Sequence, residues 1–185
     1  MEIRMRKGWW VILAGAALAV TAAAAVAAND SNFGTHLQGR YEVPVRATDA
    51  QGQATFRVAD DGQSIDYRLS ASNIENAFMA HIHMSPAVAG VDPLTQTGGI
   101  VVWLYPGTAV QPGALGSGRH NVRVEGTITA ANLVGALAGH PLSDLLAAIA
   151  EGRTYVNVHT NDGVDPANTG PGDFPSGEVR GQLGN

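Results

Sequence analysis

The stretch GQATFRVADDGQSIDYRLS, residues 52–70, decides the fold class. Apolar and polar residues alternate in both of its arms, which is typical of β-strands with one buried face. The acidic and glycine residues at 60–62 between the arms are typical of a tight turn. The stretch therefore predicts an antiparallel β-hairpin. Its core-facing side chains are expected to be Phe56, Val58, Ile65, Tyr67 and Leu69.

Similar short segments recur along the chain, separated by gaps rich in glycine and proline. They predict further strands at residues 36–43, 77–84, 99–105, 119–128, 153–160 and 176–183. Their apolar positions extend the expected core through Val122, Val124, Val156, Val158, Val179 and Leu183. Thr129 is a good N-cap for a helix at residues 130–137, and a second helix is expected at Pro141–Glu151. The pattern predicts an all-β antiparallel sandwich with a short helical insertion.

The first 28 residues are typical of an export signal. Arg4, Arg6 and Lys7 precede a long apolar run that ends in small residues at 25–28. An uncleaved membrane anchor is the alternative, because the run approaches the roughly 20 residues that span a bilayer. Residues 29–35 are expected to be frayed, and residues 29–185 are expected to form one domain, located in the periplasm or secreted.

Composition excludes several function classes. The formal net charge of −5 argues against nucleic acid or an anionic membrane surface as a partner. The chain has no cysteine, so cysteine nucleophiles, thiolate zinc sites and disulfides are excluded. No nucleophile elbow or phosphate-binding glycine loop is present, so we expect a binding protein rather than an enzyme.

The segment Met79-Ala80-His81-Ile82-His83-Met84 carries the clearest chemical signal. Side chains alternate along a strand, so Met79, His81 and His83 share one face, opposite the core. His159 lies in a similarly patterned segment, and three imidazoles meet if the two strands are neighbours. Imidazole and thioether ligands suit copper, and zinc is possible. The alternative is that the histidines form a polar strand face or bond to loop backbone.

Other candidates are weaker. His36, His120 and His140 lack a same-face partner, although His120 is in phase with the apolar residues of its segment. The acidic loop from Asn161 to Asp173 fits no calcium-binding spacing and is expected to be a solvated loop. Glu178 and Arg180 are expected to have structural roles, with Glu42 as a possible partner for Arg180.

The chain resembles the CHRD family, named after chordin, over roughly residues 36–183. The resemblance rests on LQGRYEVP at 37–44, GQATF at 52–56, AHIH at 80–83, GTITA at 126–130, YVNVHT at 155–160 and PSGEVRGQL at 175–183. It implies an immunoglobulin-like sandwich, distantly similar to copper–zinc superoxide dismutase, in an exported bacterial protein. The loop after His83 is longer than the family pattern.

Two functions are compatible with the sequence. The first is an exported protein that binds one copper ion through His81, His83 and His159, with Met79 as a further ligand, for copper buffering, delivery or resistance. Its affinity is then expected to fall below the ordinary imidazole pKa of about 6.5, because protons compete for the nitrogens. The second is a non-catalytic interaction module that engages another exported protein or a matrix component through its exposed sheet face or through the loops at 86–99 and 161–175.

Overall fold

A computed structural model describes residues 32–108 and 120–184. Its eight strands are β1 (Asn32–Gln38), β2 (Gln51–Val58), β3 (Ile65–Ser72), β4 (Ala77–Met84), β5 (Gly99–Tyr105), β6 (Val122–Ile128), β7 (Thr154–Thr160) and β8 (Val179–Leu183). One α-helix, α1 (Leu142–Ala150), and four short 3₁₀ turns complete the fold. The expected export signal lies outside the described residues. Within them, no helix is long and apolar enough to cross a bilayer.

All strand pairs are antiparallel, and the hydrogen-bonded order is β5-β4-β7-β8-β1-β2-β3-β6. The order divides into two halves of four strands, because β8 and β1 pair only at Gln38 and Arg180. The Tyr67 hydroxyl of β3 donates a 2.6 Å hydrogen bond to the Leu104 carbonyl of β5, so the two halves face each other across the core. The predicted all-β sandwich class is confirmed.

The core between the halves contains the apolar phase of the predicted strands. Phe56, Ile65, Tyr67 and Leu69 of the hairpin are all at most 3 % exposed. Val58 and Val124 are partly buried against the same cluster. The other predicted core residues are all buried: Val122, Val156, Val158, Val179 and Leu183. The alternation pattern therefore assigned the core face correctly on each of these strands.

Three sequence expectations about element bounds are wrong. Residues 32–35, expected to be frayed, belong to β1, whose predicted 36–43 span ends early in a 3₁₀ turn at Gly39–Tyr41. The predicted helix at 130–137 is two 3₁₀ turns, Ala130–Asn132 and Gly135–Leu137. Between these turns the chain pairs with β5, since the Val134 amide donates to the Val101 carbonyl. That bond replaces the helical bonds that the sequence favoured.

The helix α1 covers one edge of the core, as predicted from its periodicity. Leu142, Leu145 and Ile149 belong to the buried cluster, and Leu146 packs against it. The chain then turns at Gly152, whose φ of +65° favours glycine, and enters β7. This connection places β7 between β4 and β8, in the centre of one half of the sandwich.

Candidate metal centre

The predicted histidine strands are direct neighbours. β4 pairs with β7 so that His81 lies opposite Asn157, His83 opposite Tyr155, and Met79 opposite His159. Cross-strand partners point to the same side of a sheet. The three histidines therefore meet on the outer face of this half of the sandwich. Ala80, Ile82, Val156 and Val158 take the inner face and enter the core, as predicted.

This outer face is buried, which the alternation pattern did not indicate. His81, His83 and His159 are 0 %, 8 % and 5 % exposed. The cover comes from two loops, residues 85–98 and 161–178. Their backbone carbonyls bond directly to the histidine rings, as the alternative interpretation of the sequence allowed. The centre thus lies between a β-sheet and two loops rather than on an open strand surface.

Hydrogen bonds orient two of the three rings. His83 Nδ1 lies 2.9 Å from the Gly98 carbonyl, and His159 Nδ1 lies 2.9 Å from the Pro175 carbonyl. A carbonyl can only accept, so each Nδ1 carries a proton. In a neutral ring the other nitrogen, Nε2, then holds a free lone pair. Backbone carbonyls hold metal-binding histidines in this tautomer in many known sites.

His81 connects to His159 instead of to a loop. Its Nδ1 lies 3.1 Å from His159 Nε2. Since His159 Nε2 holds the lone pair, His81 Nδ1 is the donor, and His81 Nε2 is left with a free lone pair. His81 Nε2 and His83 Nε2 are both buried without any hydrogen-bond partner. Buried nitrogens of this kind require an explanation, because nearly all buried polar atoms have a partner.

Burial keeps the rings neutral. It lowers the pKa of His81 to about 2, with the neighbouring His159 and His83 acting in the same direction. Burial likewise lowers the pKa of His159 to about 3, helped by His83 and opposed by the Pro175 carbonyl. The pKa of His83 is also lowered by burial, against the effect of the Gly98 carbonyl. Neutral imidazole is the form that binds a metal ion.

The distances are compatible with a shared metal ion. One nitrogen from each ring can be chosen so that the three lie within 4.8 Å of one another. Ligand nitrogens about 2.0–2.1 Å from a tetrahedral ion lie about 3.3 Å apart, close to the distance between the His81 and His159 nitrogens. The three rings are thus close enough to share one ion once the hydrogen bond between His81 and His159 is replaced.

Four further residues surround the triad. Tyr155 stacks on His83, with ring centroids 4.9 Å apart and planes inclined by 4°. The Arg180 guanidinium covers the other face of Tyr155, 3.5 Å from its centroid. Trp103 of β5 meets His81 edge-on with centroids 4.2 Å apart, and Phe78 meets His159 edge-on at 6.4 Å. These aromatic rings exclude water from the centre.

Arg180 also ties the first loop to the site. It is 1 % exposed and donates to the Gln96 carbonyl at 2.8 Å and to Gln182 Oε1 at 3.0 Å. The Tyr155 hydroxyl accepts from the Gly98 amide at 3.1 Å. The loop at 85–98 is therefore held by Tyr155, which stacks on His83, and by Arg180, which stacks on Tyr155. Arg180 directly follows the core residue Val179, so the alternation placed it on the outward face, but a buried arginine there was not expected.

The remaining candidate residues are distributed as follows. Met79 is half-buried and opposite His159, so its role as a ligand stays a prediction. The His120 side chain is 71 % exposed beside Glu75, and the expectation that it faces the core is wrong because it precedes β6. His140 precedes α1, and its Nδ1 lies 2.8 Å from the Oδ2 atom of Asp144 in that helix. His36 lies on β1, apart from the triad.

The acidic residues that the sequence marked as structural are buried at the margin of the centre. Glu178 accepts hydrogen bonds from Thr48, Thr160 and the Gly172 amide, so its role is structural as expected. Glu42 is 6 % exposed, and burial raises its pKa to about 7 despite the opposing charge of Arg180. Its Oε1 has no hydrogen-bond partner of good geometry.

A comparison with protein families assigns the chain. A family model described as the CHRD domain matches residues 33–183, which include every strand from β2 to β8 and the three histidines. The chain belongs to the CHRD family. The resemblance noted in the sequence is thereby confirmed. Searches of curated proteins and of solved structures gave no significant match.

Proposed function

We propose that this CHRD domain is an exported metal-binding protein that holds one copper ion through His81, His83 and His159. The observation that supports it most strongly is the pair of carbonyl-oriented rings, His83 and His159, beside a third buried ring. Two rings of the described cluster, His81 and His83, have buried Nε2 atoms without partners. A metal ion satisfies these lone pairs.

Copper is the preferred ion on chemical grounds. Nitrogen sites bind Cu(II) more tightly than the other divalent ions of the first transition row. The described centre has no carboxylate among its three candidate ligands, which disfavours calcium and magnesium. Half-buried Met79 beside His159 would add a soft sulfur ligand for Cu(I). Zinc remains the competing ion, since three histidines also suit it.

Copper buffering, delivery or resistance outside the cytoplasm is the role that fits best. CHRD domains occur in extracellular proteins, and the first 28 residues are typical of an export signal. Bound copper would supply the ability to cycle between two oxidation states. The residues of this chain would bind the ion, orient it and exclude water from it. The closed aromatic surround favours storage over rapid exchange with a substrate.

Metal titration of protein purified without a histidine tag tests the proposal. We expect one equivalent of Cu(II) to bind, competing with a chelator of known affinity. A variant with His81, His83 and His159 all changed to Gln should lose binding. Glutamine is preferred over alanine because the rings are buried and alanine would leave cavities. A variant with His36, His120 and His140 changed to Gln is the matched control, and it should bind as the wild type does.

Tight copper binding by the first triple variant would reject the site. Loss of binding in the control variant alone would show that the surface histidines collect the metal. Comparing Cu(II), Zn(II) and Ni(II) under the same competition identifies the preferred ion. If zinc binds more tightly than copper in this competition, the copper assignment is wrong, but the three-histidine metal centre stands.

An interaction module is the second candidate, and one surface favours it. Tyr41, Val43, Val45 and Leu94 are 38–68 % exposed and line one mainly apolar groove beside Arg40 and Gln182. Val88 and Val91 on the same loop are 48 % and 42 % exposed. Exposed apolar groups of this extent often mark interaction sites. This function would be favoured if the purified protein bound no metal ion in the titration but self-associated or bound a matrix polymer.

A further inference from the structure

Asn157 is the one polar residue on the site face of β7 between Tyr155 and His159. It lies directly opposite His81 across the β4–β7 pairing. The residue is 2 % exposed, and its Oδ1 has no hydrogen-bond donor. Asn157 is therefore a buried residue on the same sheet face as the three histidines, and its side-chain oxygen has no hydrogen-bond donor among the described residues.

The orientation of the Asn157 amide follows from its neighbours. A Cβ atom built on Gly177 would lie 2.7 Å from Asn157 Nδ2 and would collide with Glu42 Oε1, so both atoms adjoin this glycine. The amide NH₂ thus faces the Glu42 carboxyl group, where a donor belongs. Oδ1 is the other branch of the amide and points away from the carboxyl group, toward the histidines.

The neighbour of Oδ1 on that side is His83. The Asn157 amide lies beside the His83 ring, although the two make no hydrogen bond of good geometry. His83 Nδ1 already donates to the Gly98 carbonyl, so its remaining nitrogen, Nε2, holds a lone pair. Asn157 Oδ1 and His83 Nε2 are then two buried acceptors on the same face of the sheet, and neither has a hydrogen-bond donor. Such an arrangement is unfavourable unless a cation or a donating water lies beside them.

We propose that Asn157 Oδ1 is a fourth ligand, which completes a three-nitrogen, one-oxygen site with His81, His83 and His159. The inference rests on the proposed metal-binding function and deepens it. It gives a reason for the buried amide oxygen that three histidines alone leave unexplained. Glu42 acts as a positioning residue, because its carboxyl group adjoins Nδ2 beside Gly177 and favours the amide orientation with the oxygen toward the ion. An oxygen ligand also makes the site suitable for Cu(II) or Zn(II) in preference to Cu(I).

Three variants test the ligand role. Asn157→Leu removes the oxygen with little change in size, and Asn157→Asp replaces it with a charged oxygen of the same geometry. The matched control is Thr154→Val, which removes an unpartnered buried oxygen from the same strand but from the opposite face. Each protein is titrated with Cu(II) against a competing chelator, and the bound form is examined by visible absorption and electron paramagnetic resonance.

We expect Asn157→Leu to bind one Cu(II) about 10–100-fold more weakly, with a shifted spectrum, while its metal-free form unfolds at an equal or higher temperature. The affinity range is that seen for loss of supporting contacts at metal sites. Asn157→Asp should bind at least as tightly as the wild type, with a spectrum that differs from it. Thr154→Val should match the wild type in both measurements.

Two results overturn the ligand role and leave the histidine site intact. The first is a wild-type spectrum and affinity in Asn157→Leu, which would assign the space beside Oδ1 to a water molecule. The second is equal loss of affinity in Thr154→Val, which would show a general packing effect. If wild-type protein binds no Cu(II) or Zn(II), the proposed function fails first. Should Asn157→Leu fail to fold, an unchanged spectrum in Asn157→Asp alone rejects the proposal.

Discussion

His81 and His159 share a hydrogen bond of 3.1 Å across neighbouring strands, from His81 Nδ1 to His159 Nε2. The bond joins residues 78 positions apart in the sequence. It occupies the lone pair of His159 Nε2, which is the only nitrogen that His159 can offer to a metal ion, because its Nδ1 donates to the Pro175 carbonyl. An ion held by all three rings therefore replaces this bond, and His81 can bind it through Nε2. The two rings are held close together before any ion arrives, which reduces the entropy lost on binding.

The affinity for copper is expected to change little between pH 7.5 and about 5.5. The sequence alone predicted a fall below pH 6.5, because free imidazoles take up protons there. The structure changes this expectation, since burial lowers the pKa of His81 to about 2 and of His159 to about 3. Protons then do not compete in this range. Competition titrations at several pH values check it, and a decrease of tenfold or more by pH 5.5 would contradict it.

The metal-free protein should lose stability as the pH falls from about 6.5 to 4.5. In this window the unfolded chain binds protons on His81 and His159 while the folded chain does not, so stability rises with pH. Glu42 acts oppositely, because its pKa rises from 4.5 to about 7 on folding. A group contributes up to about 1.4 kcal/mol per pH unit between its two pKa values, so two histidines against one carboxyl group leave a net loss that approaches about 1.4 kcal/mol per unit near pH 5.5. Urea unfolding at pH 6.5 and 5.0 measures it.

Glu42→Gln tests the opposing contribution of Glu42 to the pH dependence of stability. It removes the one group in this set that opposes the histidines, so the pH dependence of stability should become about twice as steep. At pH 7 and above, where the charged carboxyl group is costly to bury, the variant should be as stable as the wild type or more stable. An unchanged slope would show that Glu42 does not titrate in the folded protein within this window.

Tryptophan fluorescence should report metal binding directly. The Trp103 ring meets His81 with centroids 4.2 Å apart, so a bound Cu(II) ion would lie close enough to quench its emission. We expect quenching that saturates at one equivalent. In the full-length chain Trp103→Phe is the control, because Trp9 and Trp10 of the expected export signal then supply the remaining emission. Equal quenching in that variant would place the copper elsewhere.

Most of the fold could be predicted from alternation, and the strand faces were the strongest part. Phe56, Tyr67 and Val158 lie in the core because a one-residue error in phase would expose every apolar side chain of a strand. The same argument placed His81 and His83 on the opposite face. The meeting with His159 was conditional on β4 and β7 being neighbours, and no local pattern specifies strand order.

What the sequence did not provide was the cover over that face. Gly98 and Pro175 bond to the histidines through backbone carbonyls, which any residue could offer. Contacts through the backbone do not require a particular residue type, so the sequence does not reveal them. Arg180 is buried because it stacks on Tyr155 and donates to loop carbonyls, whereas an arginine on an outward strand position is ordinarily solvated. Loop cover of this kind depends on tertiary structure alone.

The core assignment has its own test in two adjacent residues of β2. Phe56 is 3 % exposed and stacks on Phe33 with ring centroids 5.0 Å apart, whereas Arg57 is exposed on the opposite phase. Phe56→Ala should destabilise the protein by about 3–5 kcal/mol, because it removes buried contacts and leaves a cavity. Arg57→Ala should cost well under about 1 kcal/mol. Urea unfolding midpoints compare the two. Equal losses would mean that the phase of β2 is misassigned, and the facing of the histidine strands, which follows from the same alternation, would then need independent proof.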